Sequence, residues 1–283
     1  MLMLTTREKI TMVKAAYHLI MVGRRLCGLP RRLEVERDGL ASQLDLAEAI
    51  DFTIWLCGRF EPATHALCER LLSPGAVVFD IGANVGAQTL PLARAVGNTG
   101  GVYAFEPTAF AVEKLRADIA LNPSLHSRVI VAQTMLGASG DATMAAEIYS
   151  SWPLETALHL HPTLRGRLMS TKGARVETLD TALSRLGVGR VDLIKLDVDG
   201  QEDTVLAGAK ETLRRHAPPI VMELAPYTFA DRLEAFDGMM EDLRGLGYGF
   251  FSLEGAALPS RPGELRASIR QGAGINILRP EYS

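Results

Sequence analysis

Short apolar runs that alternate with longer amphipathic stretches predict a parallel β-sheet covered by helices. Residues 77–81, VVFDI, are apolar at four of five positions, which is typical of a strand buried on both faces of such a sheet. The turn that follows contains Gly82 and Gly86, whose missing side chains permit left-handed or crowded backbone. A helical stretch, AQTLPLARAV, comes next. Further strands, separated by helices, are predicted at residues 102–107, 128–133, 191–196 and 220–224.

Two apolar segments near the end of the chain bring the predicted sheet to seven strands. They cover residues 248–253 and 274–278 and follow a helix predicted at 229–246. We expect them to form an antiparallel hairpin at the edge of the sheet. The whole pattern predicts the α/β class, with a doubly wound, mostly parallel, seven-stranded Rossmann-like sheet.

Residues 141–176 are the least regular part of the chain, and we interpret them as a lid-like segment. They contain His159 and His161, whose spacing places both on one face of a strand. A histidine pair with no third ligand nearby is more typical of a surface or lid than of a metal site. His161 or Trp152 is a candidate for the wall of an acceptor pocket.

An N-terminal extension, residues 1–58, is predicted in front of a domain at 59–283. It comprises an amphipathic helix, a hairpin with an Asp38-Gly39 turn and a second helix. The first helix is apolar at 10–22 but is interrupted by charge, and a membrane span needs about 20 apolar residues. We expect this helix to pack on its own domain or on a second subunit of a homodimer. Peripheral membrane contact through residues 6–27 is the alternative, since basic residues flank the apolar stretch.

Composition excludes some classes of function. The nearly balanced net charge of −3 over 283 residues gives no indication of nucleic-acid binding, which would need a basic face. The three cysteines are an odd number without C-x-x-C spacing, which favours reduced thiols and a cytoplasmic protein. No cleavage site typical of a signal peptide follows the first helix.

The first two strand ends carry carboxylates that suit a cationic nucleoside. The spacing Gly82-x-x-x-Gly86 departs from the dinucleotide fingerprint G-x-G-x-x-G. Asp80 beside this turn would repel a pyrophosphate but attract an ammonium group. Glu106, at the end of the second strand, is placed to accept hydrogen bonds from both ribose hydroxyls. Together they indicate S-adenosylmethionine as the ligand.

Four motifs resemble one known family. FDIGANVG, FEP, ETLDTAL and VDLIKLDVDGQEDTVLAGA are similar to segments of the FkbM-type S-adenosylmethionine-dependent methyltransferases, and the similarity extends over residues 33–279. It implies a Rossmann-like methyltransferase sheet and methyl transfer to a hydroxyl oxygen. The implied acceptor is a small-molecule or glycan hydroxyl, on a sugar, a glycolipid or a secondary metabolite. The resemblance does not demand a metal.

The candidate cofactor contacts lie at or just after the predicted strand ends. Glu61 is added from the Glu61-Pro62 pair, which the resemblance includes. Some have structural alternatives: Asp80 and Glu61 as helix caps, Asn84 as a left-handed turn residue, and Met135 as core. The candidates are Glu61, Asp80, Gly82, Asn84, Gly86, Glu106, Pro107, Gln133 and Met135.

Three carboxylates are candidates for the chemistry of methyl transfer. Asp197 ends the fourth strand and is the first choice for orienting or deprotonating the acceptor. Glu223, at the end of the fifth strand, is the second. Asp199 is the third, although the family often carries glutamate there, and with Glu202 it has the spacing of a helix capping box. Asp197, Asp199 and Glu202 together could also hold Mg²⁺, which we do not expect.

Two functions from other classes stay open at this point. A nicotinamide-dependent oxidoreductase uses a similar sheet, although Asp80 and the missing third glycine argue against it. A cofactor-binding module without catalysis, acting through its N-terminal helix, is the other.

Overall fold

A six-stranded sheet forms the centre of the computed structural model, which describes residues 5–141, 145–150, 152–155 and 166–277. Five strands run parallel, and the edge strand at the C-terminal end is antiparallel to its neighbour. This is a Rossmann-like α/β sheet. From one edge to the other its strands are β12 (Ile275–Ile277), β11 (Ile220–Leu224), β10 (Leu193–Leu196), β3 (Val77–Ile81), β4 (Gly101–Phe105) and β5 (Val129–Ala132).

The apolar run that predicted the first parallel strand is buried on both faces. In β3, the side chains of Val78 and Phe79 are fully buried in two different clusters, one on each side of the sheet. Helices cover both sides of the sheet. They are α3 (Pro62–Leu71), α4 (Thr89–Ala95), α5 (Ala109–Ala120), α6 (Leu179–Leu186), α7 (Glu202–Ala207), α8 (Lys210–His216), α9 (Leu233–Gly245) and α10 (Pro262–Ser268), with short 3₁₀ turns at Pro123–Leu125 and Pro226–Phe229.

The seventh strand predicted at residues 248–253 is not formed. This segment makes only an isolated bridge between Phe251 and Ala257, and β12 pairs directly with β11. Tyr248 and Phe250 are instead buried in the core, and the Tyr248 hydroxyl donates to the Pro218 carbonyl. The aromatic side chains therefore anchor a loop, and the predicted edge hairpin is wrong.

The N-terminal residues form a helix, a hairpin and a second helix. They are α1 (Thr6–Leu26), β1 (Arg32–Arg37), β2 (Leu40–Asp45) and α2 (Ala49–Cys57). The hairpin predicted around the Asp38-Gly39 turn is formed, and both turn residues have positive φ. Tyr17 and Met21 of α1 are buried against Phe52 of α2. No helix among the described residues is long and apolar enough to cross a bilayer.

Short strands occupy the segment that was predicted to be irregular. Within it, β7 (Glu147–Ser150) pairs antiparallel with β8 (Arg167–Ser170). At its end, β9 (Arg175–Glu177) pairs with β6 (Thr134–Leu136), which precedes the segment. His159 and His161, for which a surface or lid position was predicted, lie outside the described residues.

Candidate active site

A cavity of about 600 Å³ lies where the parallel strands end. Its floor comes from the chain that follows β3, β4 and β10, the position at which open α/β sheets bind ligands. Its volume is within the usual range for ligand sites, about 300–1,000 Å³. Apolar side chains from the N-terminal helices and from the β7 region close it on other sides: Ile10, Val13, Ile50, Ile148 and Trp152.

Most of the predicted site residues line this cavity. They are Glu61, Gly82, Asn84, Glu106, Pro107, Met135, Asp197, Asp199 and Glu223. Asp80, Gly86 and Gln133 do not line it, and each has a structural role that explains its place.

The turn after β3 depends on left-handed backbone. Gly82 has φ of +76° and Asn84 has φ of +47°. A Cβ on Gly82 would lie 1.8 Å from the Asp197 carbonyl oxygen, so only glycine lets this turn approach the end of β10. At Gly86 a Cβ would lie 2.4 Å from Leu115 Cδ1. Gly86 is therefore needed for packing on α5 and does not contribute to the cavity wall.

Glu106 is fixed by three hydrogen bonds at the end of β4. Its Oε1 accepts from the Thr108 amide at 2.8 Å and the Thr108 hydroxyl at 2.5 Å, and its Oε2 accepts from the Asn84 amide at 3.0 Å. Burial raises the pKa of the Glu106 carboxyl, and these hydrogen bonds oppose that rise. These three hydrogen bonds hold the carboxylate in one orientation at the cavity wall, beside the Asn84 amide.

Asp80 lies beneath the cavity and pairs with a buried lysine. Its side chain has no exposed surface. Its Oδ2 accepts a hydrogen bond from the Thr89 hydroxyl at 2.6 Å, and its Oδ1 lies 3.5 Å from Lys195 Nζ. The helix-capping alternative is also not observed, because the N-cap of α4 is Gln88.

Sequence reasoning missed Lys195, which lies inside the apolar run of β10. Its ammonium donates to the Gly82 carbonyl at 3.2 Å and lies 3.5 Å from both Asp80 Oδ1 and Asp197 Oδ2. Burial acts to lower the pKa of Lys195, but the neighbouring Asp197 and Asp80 carboxylates outweigh it and raise the pKa above its ordinary value. Lys195 therefore stays charged and joins the buried Asp80 to the cavity residue Asp197.

The loop after β10 gathers three carboxyl groups. Asp197 is 30% exposed and directly follows the strand. Asp199 lies two residues further on, with φ of +51°. Burial, together with the charges of Asp197 and Glu202, raises the pKa of Asp199 to about 8. Burial likewise raises the pKa of Glu202 to about 7.

The predicted capping box is wrong. The N-cap of α7 is Gln201, which makes no side-chain cap. Glu202 Oε1 instead accepts from the backbone amides of Val198 and Gly200, each at 3.2 Å. The left-handed conformations of Asp199 and Gly200 turn the loop back toward this carboxyl. Glu202 thus shapes the loop that presents Asp199 to the cavity.

Replacing Asp199 by asparagine is expected to flatten the dependence of stability on pH between about 4 and 8. A carboxyl with a raised folded-state pKa binds its proton more tightly when folded, so the native protein loses stability as pH rises from the unfolded pKa to the folded value. The variant lacks this loss and will gain in Tm relative to the parent as pH increases. Tm at several pH values measures this, with the exposed Asp231→Asn as control. Parallel curves for parent and Asp199→Asn would contradict it.

Gln133 and Met135, predicted as adenine contacts, lie in different surroundings. The Gln133 amide nitrogen donates to the carbonyls of Lys172 at 2.9 Å and Pro107 at 3.4 Å. Gln133 thereby ties the turn at Lys172 to the chain after β4. Met135, on β6, does line the cavity.

The cavity wall is rich in carboxyl groups. Among its described lining residues, Lys195 is the one cation, and its three donors face Asp80, Asp197 and Gly82. Such a wall favours a cationic ligand over a pyrophosphate. The lining carboxyl groups belong to Glu61, Glu106, Glu147, Asp197, Asp199 and Glu223. No group of three or more His, Cys, Asp and Glu side chains in the described ranges is arranged to hold a metal ion.

A sequence model of the methyltransferase FkbM domain matches residues 80–250. The chain belongs to the FkbM methyltransferase family. The matched range runs from the end of β3 to the loop after α9 and includes Glu106, Lys195, Asp197 and Glu223. The resemblance carried by the four sequence motifs is thereby confirmed.

Solved structures include distant matches to this FkbM-family chain. The FkbM methyltransferase of Methylobacillus flagellatus KT is 15% identical, with 83% of this chain and 61% of that one covered and a TM-score of 0.43. An S-adenosylmethionine-dependent O-methyltransferase of Thermotoga maritima is 14% identical, with 80% and 66% covered and a TM-score of 0.42. A comparison with curated protein sequences gives no match.

Proposed function

We propose that this protein is an S-adenosylmethionine-dependent O-methyltransferase that acts on a hydroxyl of a sugar, glycolipid or secondary metabolite. The observation that carries this is the cavity at the strand ends, where Glu106 and the Gly82–Asn84 turn adjoin a wall of carboxyl groups. The family match supports methyl transfer as the reaction class.

The residues present fit this cofactor. Glu106 is a buried carboxylate that lines the cavity at the end of β4, where ribose hydroxyls can donate to it. The sulfonium and ammonium groups are cationic, and Glu61 and Asp197 supply carboxylates on the same wall. When bound, the cofactor supplies an electrophilic methyl group. Asp80 does not contact the ligand in this proposal. It pairs with Lys195, and Lys195 pairs with Asp197, so Asp80 positions Asp197 indirectly.

The chain's own residues position and deprotonate the acceptor hydroxyl. Asp197 is the proposed base, because it is a partly exposed carboxylate at the end of a central strand and is held by Lys195. Glu223, on the neighbouring strand, also lines the cavity and is the second candidate for the base. Ile10, Val13 and Trp152 help to exclude water and to contact an apolar part of the acceptor.

Replacing Glu106 by glutamine is expected to weaken binding of S-adenosylhomocysteine by about 10–100-fold, because a hydrogen bond to a charged group contributes about 1.5–3 kcal/mol. The glutamine amide would also place a donor against the Thr108 or Asn84 amide. Isothermal titration calorimetry measures the change in Kd. Glu113→Gln, on the exposed face of α5, is the matched control.

Equal affinity of Glu106→Gln and the parent protein would contradict the placement of ribose at β4. A thermal shift produced by NAD but not by S-adenosylmethionine would favour an oxidoreductase instead. Candidate hydroxyl acceptors can then be screened for release of S-adenosylhomocysteine, with and without magnesium. Binding without turnover on any acceptor would favour the non-catalytic module.

A further inference from the structure

The outer face of α1 carries a continuous apolar stripe with nothing packed on it in the described chain. The stripe consists of Met12, Ala15, Leu19, Val22 and Leu26. Its four large side chains are 58–84% exposed. The opposite face of the same helix is already used, because Val13, Tyr17, Ile20 and Met21 pack on α2 and its neighbours. The stripe is therefore a second apolar face, beyond the one that docks the helix.

Basic residues lie beside this stripe. Arg7, Lys14, His18 and Arg25 are separated by seven, four and seven residues, which places them along one flank of the helix. The helix contains one acidic residue, Glu8, whose carboxylate is engaged with Thr5 and with Arg270 at 3.1 Å. An apolar row flanked by basic residues is the arrangement of a helix that lies in an anionic lipid interface.

The loop after α1 carries a further exposed apolar side chain and two arginines. Leu29 is 49% exposed. Arg32 pairs with Asp45, Arg25 pairs with Glu155, and Arg31 pairs with both carboxylates, so three guanidinium groups face two carboxylates. The C-terminal end of α1 and the loop after it thus have one more exposed apolar side chain and an excess of positive charge.

A second copy of the chain fits this surface less well. The stripe has heptad spacing over only about two heptads, whereas coiled coils are sustained over about three to four. Five side chains are also few beside the 20–30 residues per partner of a standard interface. A second α1 would offer no acidic row to match the basic flank, whereas anionic headgroups would.

We infer that α1 binds the surface of anionic lipid bilayers, with the stripe in the interface and the basic flank against the headgroups. Ile10 and Val13 of the same helix line the cavity, so binding would bring the cavity wall close to acceptors that are held in the bilayer. That consequence rests on the proposed methyl transfer. Lipid binding does not, because it is measured without cofactor or acceptor.

Sedimentation of the full-length protein with vesicles tests this inference. We expect binding to vesicles of phosphatidylcholine with phosphatidylglycerol, weaker binding to phosphatidylcholine alone, and a decrease as salt is raised. Leu19→Glu combined with Leu26→Glu should reduce binding by about tenfold or more, because two inserted side chains become charged. Both leucines are highly exposed and do not line the cavity.

Leu233→Glu is the matched control, since Leu233 is an exposed leucine at the start of α9. Leu19→Ser combined with Leu26→Ser is a milder variant with the same expected direction. Failure of the parent protein to bind the anionic vesicles would overturn the inference, as would equal binding by parent and Leu19/Leu26 variants. A dimer in sedimentation velocity that these variants dissociate, without vesicle binding by the parent, would assign the stripe to a second copy instead.

Discussion

Lys195→Met is expected to lower the free energy of unfolding by about 3–5 kcal/mol, the usual cost of removing one partner from a buried ion pair. The Asp80 side chain has no exposed surface, and the change removes the positive charge that lies beside it. Asp80 Oδ1 already accepts no hydrogen bond, so loss of the ammonium leaves it with no compensating charge nearby. Urea denaturation measures the effect as a lower midpoint with an unchanged m value.

A double-mutant cycle separates the ion pair from simple loss of packing. Asp80→Asn combined with Lys195→Met removes the buried charge and should recover part of the stability lost in Lys195→Met alone. Lys210→Met, on the exposed side of α8, is the control and should change stability by less than about 0.5 kcal/mol. Lys195→Met with near-parental stability would show that Asp80 does not need this partner.

The same pair shows why part of the site could not be predicted from the sequence. Lys195 and Asp80 face each other because β10 and β3 pair in a register that makes them direct neighbours. That register is a property of the assembled sheet, and a single strand does not reveal it. A signal was nevertheless present, since a lysine inside a strand buried on both faces requires a carboxylate on a neighbouring strand. Asp80 is the carboxylate of β3.

The rule for strand ends placed some of the candidate residues at the cavity wall but not all of them, since Asp80 lies within β3 and does not line the cavity. Glu106, Asp197 and Glu223 follow from the rule that ligands lie at the carboxyl ends of parallel strands, and all three line the cavity. Gln133 follows the same rule but turns away to bind the Lys172 carbonyl. The direction of a side chain after a strand depends on the loop that follows, which periodicity does not determine.

The apolar walls of the cavity come from parts of the chain far from the strand ends. Ile10, Val13 and Ile50 belong to the N-terminal helices, and their contact with the cavity arises from the docking of α1 and α2. Sequence patterns identified these helices but not their position. The parallel strands, by contrast, could be predicted because burial on both faces requires continuous apolar runs.

Asp197→Asn is expected to reduce kcat for the acceptor found by screening by about 10²–10⁴-fold, the usual contribution of a positioned general base. Asparagine keeps the size of the side chain but cannot take up the proton of the acceptor hydroxyl. The affinity for S-adenosylhomocysteine should change much less, because Glu106 and the Gly82–Asn84 turn are untouched. Single-turnover kinetics and calorimetry on the same preparation separate these two effects.

Glu223→Gln is the informative comparison for Asp197→Asn, because both carboxylates line the cavity at neighbouring strand ends. If Asp197 is the base, Glu223→Gln should retain turnover within about tenfold, as expected for a group that only orients the acceptor. Full activity of Asp197→Asn together with inactivity of Glu223→Gln would transfer the role of base to Glu223. In that case Lys195 would serve the fold through Asp80 alone, and its replacement would affect stability without any specific effect on proton transfer.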